Sequence, residues 1–108
     1  MNLSQKHCTP CEGGIEPFGP DEVHVYLLDL DGWEADEESK RITKSFTFKN
    51  FIEAVRFVDR VADIAESEGH HPDINISWNK VHLSLTTHKI KGLSENDFIL
   101  ASKISILI

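Results

Sequence analysis

Residues 51–68 (FIEAVRFVDRVADIAESE) constrain the fold of this chain more than any other stretch. Phe51, Ala54, Val55, Val58, Val61, Ala62 and Ala65 recur at three- and four-residue steps, which draws one apolar stripe along a helix. Glu53, Arg56, Asp59, Arg60 and Asp63 fall largely off that stripe. Asn50 can cap the helix, Glu53 stands at its third position as in a capping box, and Gly69 suits its stop. One face of this helix is therefore committed to a core or to a subunit contact.

The segments around it follow a different period. Residues 41–48 (RITKSFTF) alternate, with Ile42, Phe46 and Phe48 on one face and Lys44 as the exception. Ile74, Ile76 and Trp78 share one parity in 74–78; Val81, Leu83 and Leu85 share a face in 80–87, opposite Lys80, His82, Ser84, Thr86 and His88. Residues 33–36, after the Asp31-Gly32 pair, fit a short strand. Residues 20–30 are read as a short helix with Pro20 in its first turn and Asp21 and Glu22 near the positive end of its dipole. The alternation of Val23, Val25 and Leu27 fits a strand as well. Ser94 and Asp97 have capping-box spacing and open a last helix. Phe98, Ile99, Leu100, Ala101, Ile104, Ile106, Leu107 and Ile108 then surround almost its whole circumference, and a helix apolar all round must be buried all round. A domain this small is expected to cover one side of it and a second subunit the other. The order α-β-β-α-β-β-α predicts an α+β fold, an antiparallel sheet against helices.

With 108 residues the chain is long enough for one domain with its own core. Residues 1–19, rich in Pro and Gly, read as an N-terminal arm, and 20–108 as a single domain. The net charge of −7 argues against nucleic acid or an anionic membrane as a direct partner. No run approaches the ~18 apolar residues of a membrane span. The N-terminal stretch has no apolar signal-like region, and two cysteines are too few for a disulfide scaffold. A reducing, cytoplasmic setting is expected.

Six histidines remain to be explained, four of them between His70 and His88. His70 and His71 follow the helix stop and precede Pro72, which biases His71 towards an extended conformation. His88 ends the strand pair that follows, so it and His71 can meet at one end of the sheet. Imidazoles without a serine or cysteine nucleophile nearby suggest general acid–base work. Three of them could instead hold zinc with an open fourth position. Adjacent histidines in an extended segment diverge, which disfavours that reading. His7, Cys8 and Cys11 form half of a zinc site or a redox pair; with no second CxxC, reduced thiols in a mobile arm are the plainer reading. Trp33 and Trp78 suit packing, or the wall of a flat-ring pocket. Taken alone, Glu66 is a helix-surface residue and Asp97 a cap.

Several of these pieces together resemble one family. They are Asp31-Gly32-Trp33, the stretch Phe46 to Val58, Val61-Ala62 with Ala65-Glu66, His70-His71-Pro72, Trp78-Asn79-Lys80-Val81, Thr87-His88, Gly92-Leu93-Ser94, Asp97 and Leu100-Ala101. In this order, over about residues 31–106, they resemble pterin-4a-carbinolamine dehydratase. Cys8-x-x-Cys11-x-Gly-Gly also looks like the arm of some bacterial members. The resemblance implies a four-stranded antiparallel sheet with helices packed on one face, assembled as a homodimer or homotetramer. It implies a 4a-hydroxytetrahydrobiopterin dehydratase, a hydro-lyase that converts 4a-hydroxytetrahydropterin to quinonoid dihydropterin. Such an enzyme recycles the cofactor of aromatic amino-acid hydroxylases and uses no metal or organic cofactor itself. The family's active-site histidines fall on His70, His71 and His88, and its carboxylates on Glu66 and Asp97. Trp78, Pro72 and Thr87 join the binding or supporting residues. The implied division has His70 and His88 exchanging protons with the substrate, His71 orienting it, and the two carboxylates setting tautomers. Trp78 stands where tyrosine is frequent, and Lys89 where many members carry an acid. Some members resemble non-enzymatic dimerisation cofactors of a transcription factor, which would dock through the long helix. A hydroxylase is the other partner the resemblance suggests.

Overall fold

The computed structural model describes residues 2–9 and 15–108. Cys11, the second cysteine of the pair, lies outside them. Three helices, α1 (Pro20–Leu27), α2 (Phe51–Glu68) and α3 (Glu95–Ser105), accompany four strands, β1 (Glu34–Ala35), β2 (Ile42–Thr47), β3 (Asp73–Ser77) and β4 (Lys80–Leu85). The strands pair antiparallel in the order β1-β2-β4-β3. Single 3-10 turns lie at Leu3–Gln5 and His88–Ile90. The segment after Gly19 is the helix, capped as Pro20 and Glu22 direct: the Glu22 side chain accepts the Gly19 N–H at 3.2 Å.

Period-2 alternation gives β2 and β4 one dry face, while β3 at the edge leaves Ile74 and Ile76 exposed. Ile42 pairs with Leu85 and Phe46 with Val81, and all four are buried, as is Leu83. On the other face Ser45 opposes His82 and Thr47 opposes Lys80, all exposed, with Asn75 and Ser77 of β3 beside them. The helices therefore pack on one side only. Lys44 breaks the alternation because its stem covers the apolar face while its ammonium escapes the core. Nζ donates to the Asp31 carbonyl at 2.9 Å and lies 5.0 Å from the Phe46 ring centre.

The structure turns α2 relative to the expected stripe. Ala54, Phe57, Val61 and Ala65 are buried, whereas Phe51 and Ala62 are exposed. Phe57 sets this phase: its ring packs 4.8 Å from that of Phe46 and 4.9 Å from that of Phe48. A large aromatic seated between two others outweighs several alanines, since it carries far more apolar area.

The apolar circumference of α3 is covered within one chain. Phe98, Ile99, Leu100, Ala101 and Ile104 are at most 1% exposed. The sheet and α2 cover one side. The other side meets Leu3 of the N-terminal turn, and Phe98 meets Tyr26 of α1 and Phe18 at ring distances of 4.9 and 6.0 Å. The chain itself thus supplies the cover that α3 was expected to take from a second subunit. A segment some ninety residues distant in sequence supplies the cover. Ile106 and Ile108, counted into the helix by their hydropathy, lie past its end and face solvent.

Candidate functional site

The site forms where α2 ends, at the β3–β4 end that carries Asp73 and Leu85. Gly69 closes α2 in the left-handed region (φ 66°), and the N–H of Gly69 and of His70 both return to the Ala65 carbonyl. This turn delivers His70 two residues after the last helical residue, Glu68. Pro72 is half-buried and leads into β3. On the facing side β4 ends at Leu85, two residues earlier than the alternation suggests. Thr87 instead bridges to Gly92, with Thr87 N–H to Gly92 O at 2.8 Å, and His88 opens a 3-10 turn. Gly92 has no room for a side chain, because a Cβ there would stand 2.6 Å from Pro17 Cβ.

Between these two turns lies a cavity of about 350 Å3, lined by Gly69, His70, His71, Thr86, Thr87, His88 and Lys89. That is the size of a small-molecule site. The three histidines singled out from the sequence thus come together, and each is held differently. His70 Nε2 lies 2.6 Å from Asp97 Oδ1; its side chain is 13% exposed and that of Asp97 not at all. His71 Nε2 lies 2.5 Å from Glu66 Oε2, and this pair is open to solvent at 58% and 78%. The exposed His88 ring has no hydrogen-bond partner among the described residues.

Asp97 is the best-satisfied polar group of the site. Besides His70 it accepts the Thr87 hydroxyl at 2.8 Å and the Ser94 N–H at 3.0 Å, both at Oδ2. Thr87 and Ser94 hydroxyls are 2.9 Å apart. A hydroxyl has one proton, and Thr87 spends it on the carboxylate, so Ser94 donates to Thr87. The chain Ser94–Thr87–Asp97–His70 is complete and directional. A carboxylate that accepts from His70 assigns the ring proton to Nε2 and leaves Nδ1 as the ring's basic nitrogen. The capping spacing of Ser94 and Asp97 was visible in sequence. That Asp97 serves a histidine was implied by the family resemblance alone; its pairing with His70, and the part of the Ser94 hydroxyl, were not visible.

Trp78 is not brought to this cavity within one chain. It sits in the β3–β4 hairpin with φ 52°, 69% exposed, a strand length of roughly 17 Å from Asp73. Trp33 is buried, and its Nε1 donates to Ser105 Oγ at 3.0 Å. Lys89, noted in sequence only as a departure, lines the cavity. Of the remaining histidines, His82 contacts Ser45 at 2.8 Å on the bare sheet face, and His24 is exposed on α1.

Among the described residues no group of three or more His, Cys, Asp or Glu side chains is arranged to hold a metal ion. His70 and His71 turn to different carboxylates, as diverging neighbours must. Cys8 is half-buried rather than loose in a mobile arm. Burial pushes its thiol up to about 12, helped by the Glu68 carboxylate beside it, so it stays protonated and unreactive near neutrality. No helix among the described residues is long and apolar enough to cross a membrane.

Comparison with known proteins places the chain among relatives. Residues 16–107 match the family model described as Pterin 4 alpha carbinolamine dehydratase. A Methylococcus capsulatus protein, named provisionally as a pterin-4-alpha-carbinolamine dehydratase, is 43% identical over 106 residues, 98% of this chain and 93% of its own. A Rickettsia canadensis protein with the same provisional name is 47% identical over 103 residues, 94% of each. Among solved structures, the transcriptional coactivator/pterin dehydratase from Brucella melitensis aligns with a TM-score of 0.81 and 34% identity, over 85% of this chain and 98% of its own. A pterin dehydratase-like RuBisCO assembly factor of the alpha-carboxysome shares the fold, with a TM-score of 0.61 at 23% identity over 70% and 88%. On the match over residues 16–107 and the near full-length relatives, this chain belongs to the pterin-4a-carbinolamine dehydratase family.

Proposed function

We propose that this chain dehydrates a 4a-hydroxytetrahydropterin to the quinonoid dihydropterin by histidine general acid–base catalysis. The observation that carries the proposal is the His70–Asp97–Thr87–Ser94 chain beside a cavity that also holds His71 and His88. Loss of water from the carbinolamine breaks the C4a–O bond. One proton must reach the leaving hydroxyl and one must leave a ring nitrogen, so the reaction consumes no net proton. Two imidazoles on one cavity can divide these transfers. His70, with Nε2 committed to Asp97, offers Nδ1 as the base. His88, without a hydrogen-bond partner among the described residues, serves as the acid that meets the hydroxyl. His71, tethered to Glu66 at the rim, orients the pterin. Thr87 and Pro72 support the site by fixing Asp97 and His71. Each transfer by a positioned side chain is worth about 100- to 10,000-fold.

In this reading the enzyme is a cytoplasmic hydro-lyase that recycles the pterin cofactor of an aromatic amino-acid hydroxylase, and it works as a homodimer or homotetramer. The test is turnover of freshly generated 4a-hydroxytetrahydropterin by the wild type, His70→Ala and His88→Ala. Wild-type turnover no faster than the uncatalysed rate ends the enzyme reading. Unchanged turnover in both variants ends the assignment of the histidines. Native mass measurement decides the assembly.

A second reading is favoured by one observation. Phe51 and Ile52 on the outward side of α2 are 52% and 61% exposed, large apolar groups that suit a protein partner. A dimerisation or regulatory cofactor docking through α2 would use them. The Phe51→Ser/Ile52→Ser double variant would then lose partner binding or self-association while retaining dehydration.

A further inference from the structure

We infer that residues 7–9 of the N-terminal arm clamp the His70–Asp97 pair, with Glu68 and Asn96 as positioning residues for the proposed dehydration. The inference rests on that function only for its kinetic consequence. Glu68 is the last residue of α2 and precedes Gly69-His70; Asn96 precedes Asp97 in α3. The arm grips both. Glu68, its side chain 6% exposed, accepts the Cys8 N–H at 2.7 Å on Oε1 and contacts His7 Nδ1 at 3.0 Å on Oε2. Asn96, 7% exposed, pairs with Thr9 in both directions: the Thr9 N–H donates to Oδ1 at 3.0 Å, and Nδ2 donates to the Thr9 carbonyl at 2.7 Å. The Cys8 thiol reaches the Asn96 carbonyl at 3.6 Å. Lys103 of α3 ties the same parts, with Nζ 2.9 Å from the Ser4 carbonyl and 3.7 Å from Glu68.

Three consecutive arm residues therefore hold Glu68, two positions before His70, and Asn96, next to Asp97, the two halves of the imidazole–carboxylate pair coming from different elements. A two-point amide pairing fixes rotation as well as distance, which a single bond does not. A buried carboxylate at the end of α2 is costly without donors, and the arm supplies the shortest of them. The arm thereby couples its own docking to the angle between α2 and α3, and so to the orientation of the His70 ring.

The experiment compares wild type, Glu68→Ala, Glu68→Gln, Asn96→Ala and Thr9→Pro. The last removes one arm N–H and leaves α2 and α3 untouched. Dehydration kinetics are measured with the downfield proton resonance of the His70 Nε2–H. Expected are a kcat about tenfold lower in Glu68→Ala, Asn96→Ala and Thr9→Pro, with KM within about twofold, because a small misplacement of a catalytic group costs rate more than binding. The downfield resonance broadens or disappears in the same variants. Glu68→Gln, which keeps an acceptor for the Cys8 N–H, recovers most of both. Wild-type kcat and an intact resonance in the folded Asn96→Ala and Thr9→Pro variants would overturn the clamp. If the wild type shows no dehydration, the proposed function fails, and the resonance still decides the clamp.

Discussion

His70–Asp97 and His71–Glu66 are two imidazole–carboxylate pairs of nearly equal length, 2.6 and 2.5 Å, one residue apart on the same turn. They differ in everything around them. Asp97 is fully buried and takes two further donors, whereas Glu66 is 78% exposed. An exposed pair exchanges readily with water and contributes ~0–1 kcal/mol, screened by salt. A buried, fully donated carboxylate holds one ring in one orientation and is expensive to disturb. The same two side-chain types thus give a fixed ring in one case and a readily exchanged contact in the other, and enclosure makes the difference.

The comparison can be broken at its strongest point first. His70→Ala and Asp97→Asn should each lower dehydration by about 100-fold or more, measured as kcat. Glu66→Gln under the same assay should stay within about threefold; equal losses in both pairs would erase the distinction. Next, Thr87→Val keeps the shape but strips Asp97 of one donor and Ser94 of its acceptor. It should cost ~1–3 kcal/mol in denaturant unfolding and a smaller factor in rate.

A third buried group sharpens the pH side of the comparison. Burial pushes the Glu68 carboxyl up, but the Cys8 N–H, His7 and Lys103 more than offset this and hold it below its ordinary value. A carboxyl lowered in the folded state contributes stability above its unfolded value and loses it as pH falls through the folded one. The melting temperature should therefore fall on the acid side of the carboxylate range, and Glu68→Gln should flatten that limb. The smallest effect belongs to the exposed pair: Glu66→Gln should change stability by ~0–1 kcal/mol at low salt and by nothing measurable at high salt.

What could be read from the sequence was what neighbouring residues decide. Asn50, Glu53 and Gly69 bound α2 at both ends, and the alternation of 80–85 gave one apolar face to β4. The meeting of His71 and His88 was legible because a helix stop and a strand end are local events, while His70 joined them through the family resemblance. The facing of α2 was not, since it turns on Phe57 finding Phe46 and Phe48. Nor was the cover of α3, whose partners Leu3 and Phe18 lie at the far end of the chain. Trp78 shares its strand's apolar parity, but the hairpin carries it away from the histidines. Ser94 looked like a cap and is one. Its second task depends on Thr87 arriving from β4, and no spacing records that.

The loop that carries His88 and Lys89 begins and ends on its own bridge between Thr87 and Gly92, with Lys91 taking the left-handed turn (φ 56°) and Ile90 anchored below. Its two outermost side chains hang from a frame that does not depend on them. Substitution at 88 and 89 can change the lining of the cavity without renegotiating the core. The arrangement separates what holds the fold from what lines the cavity.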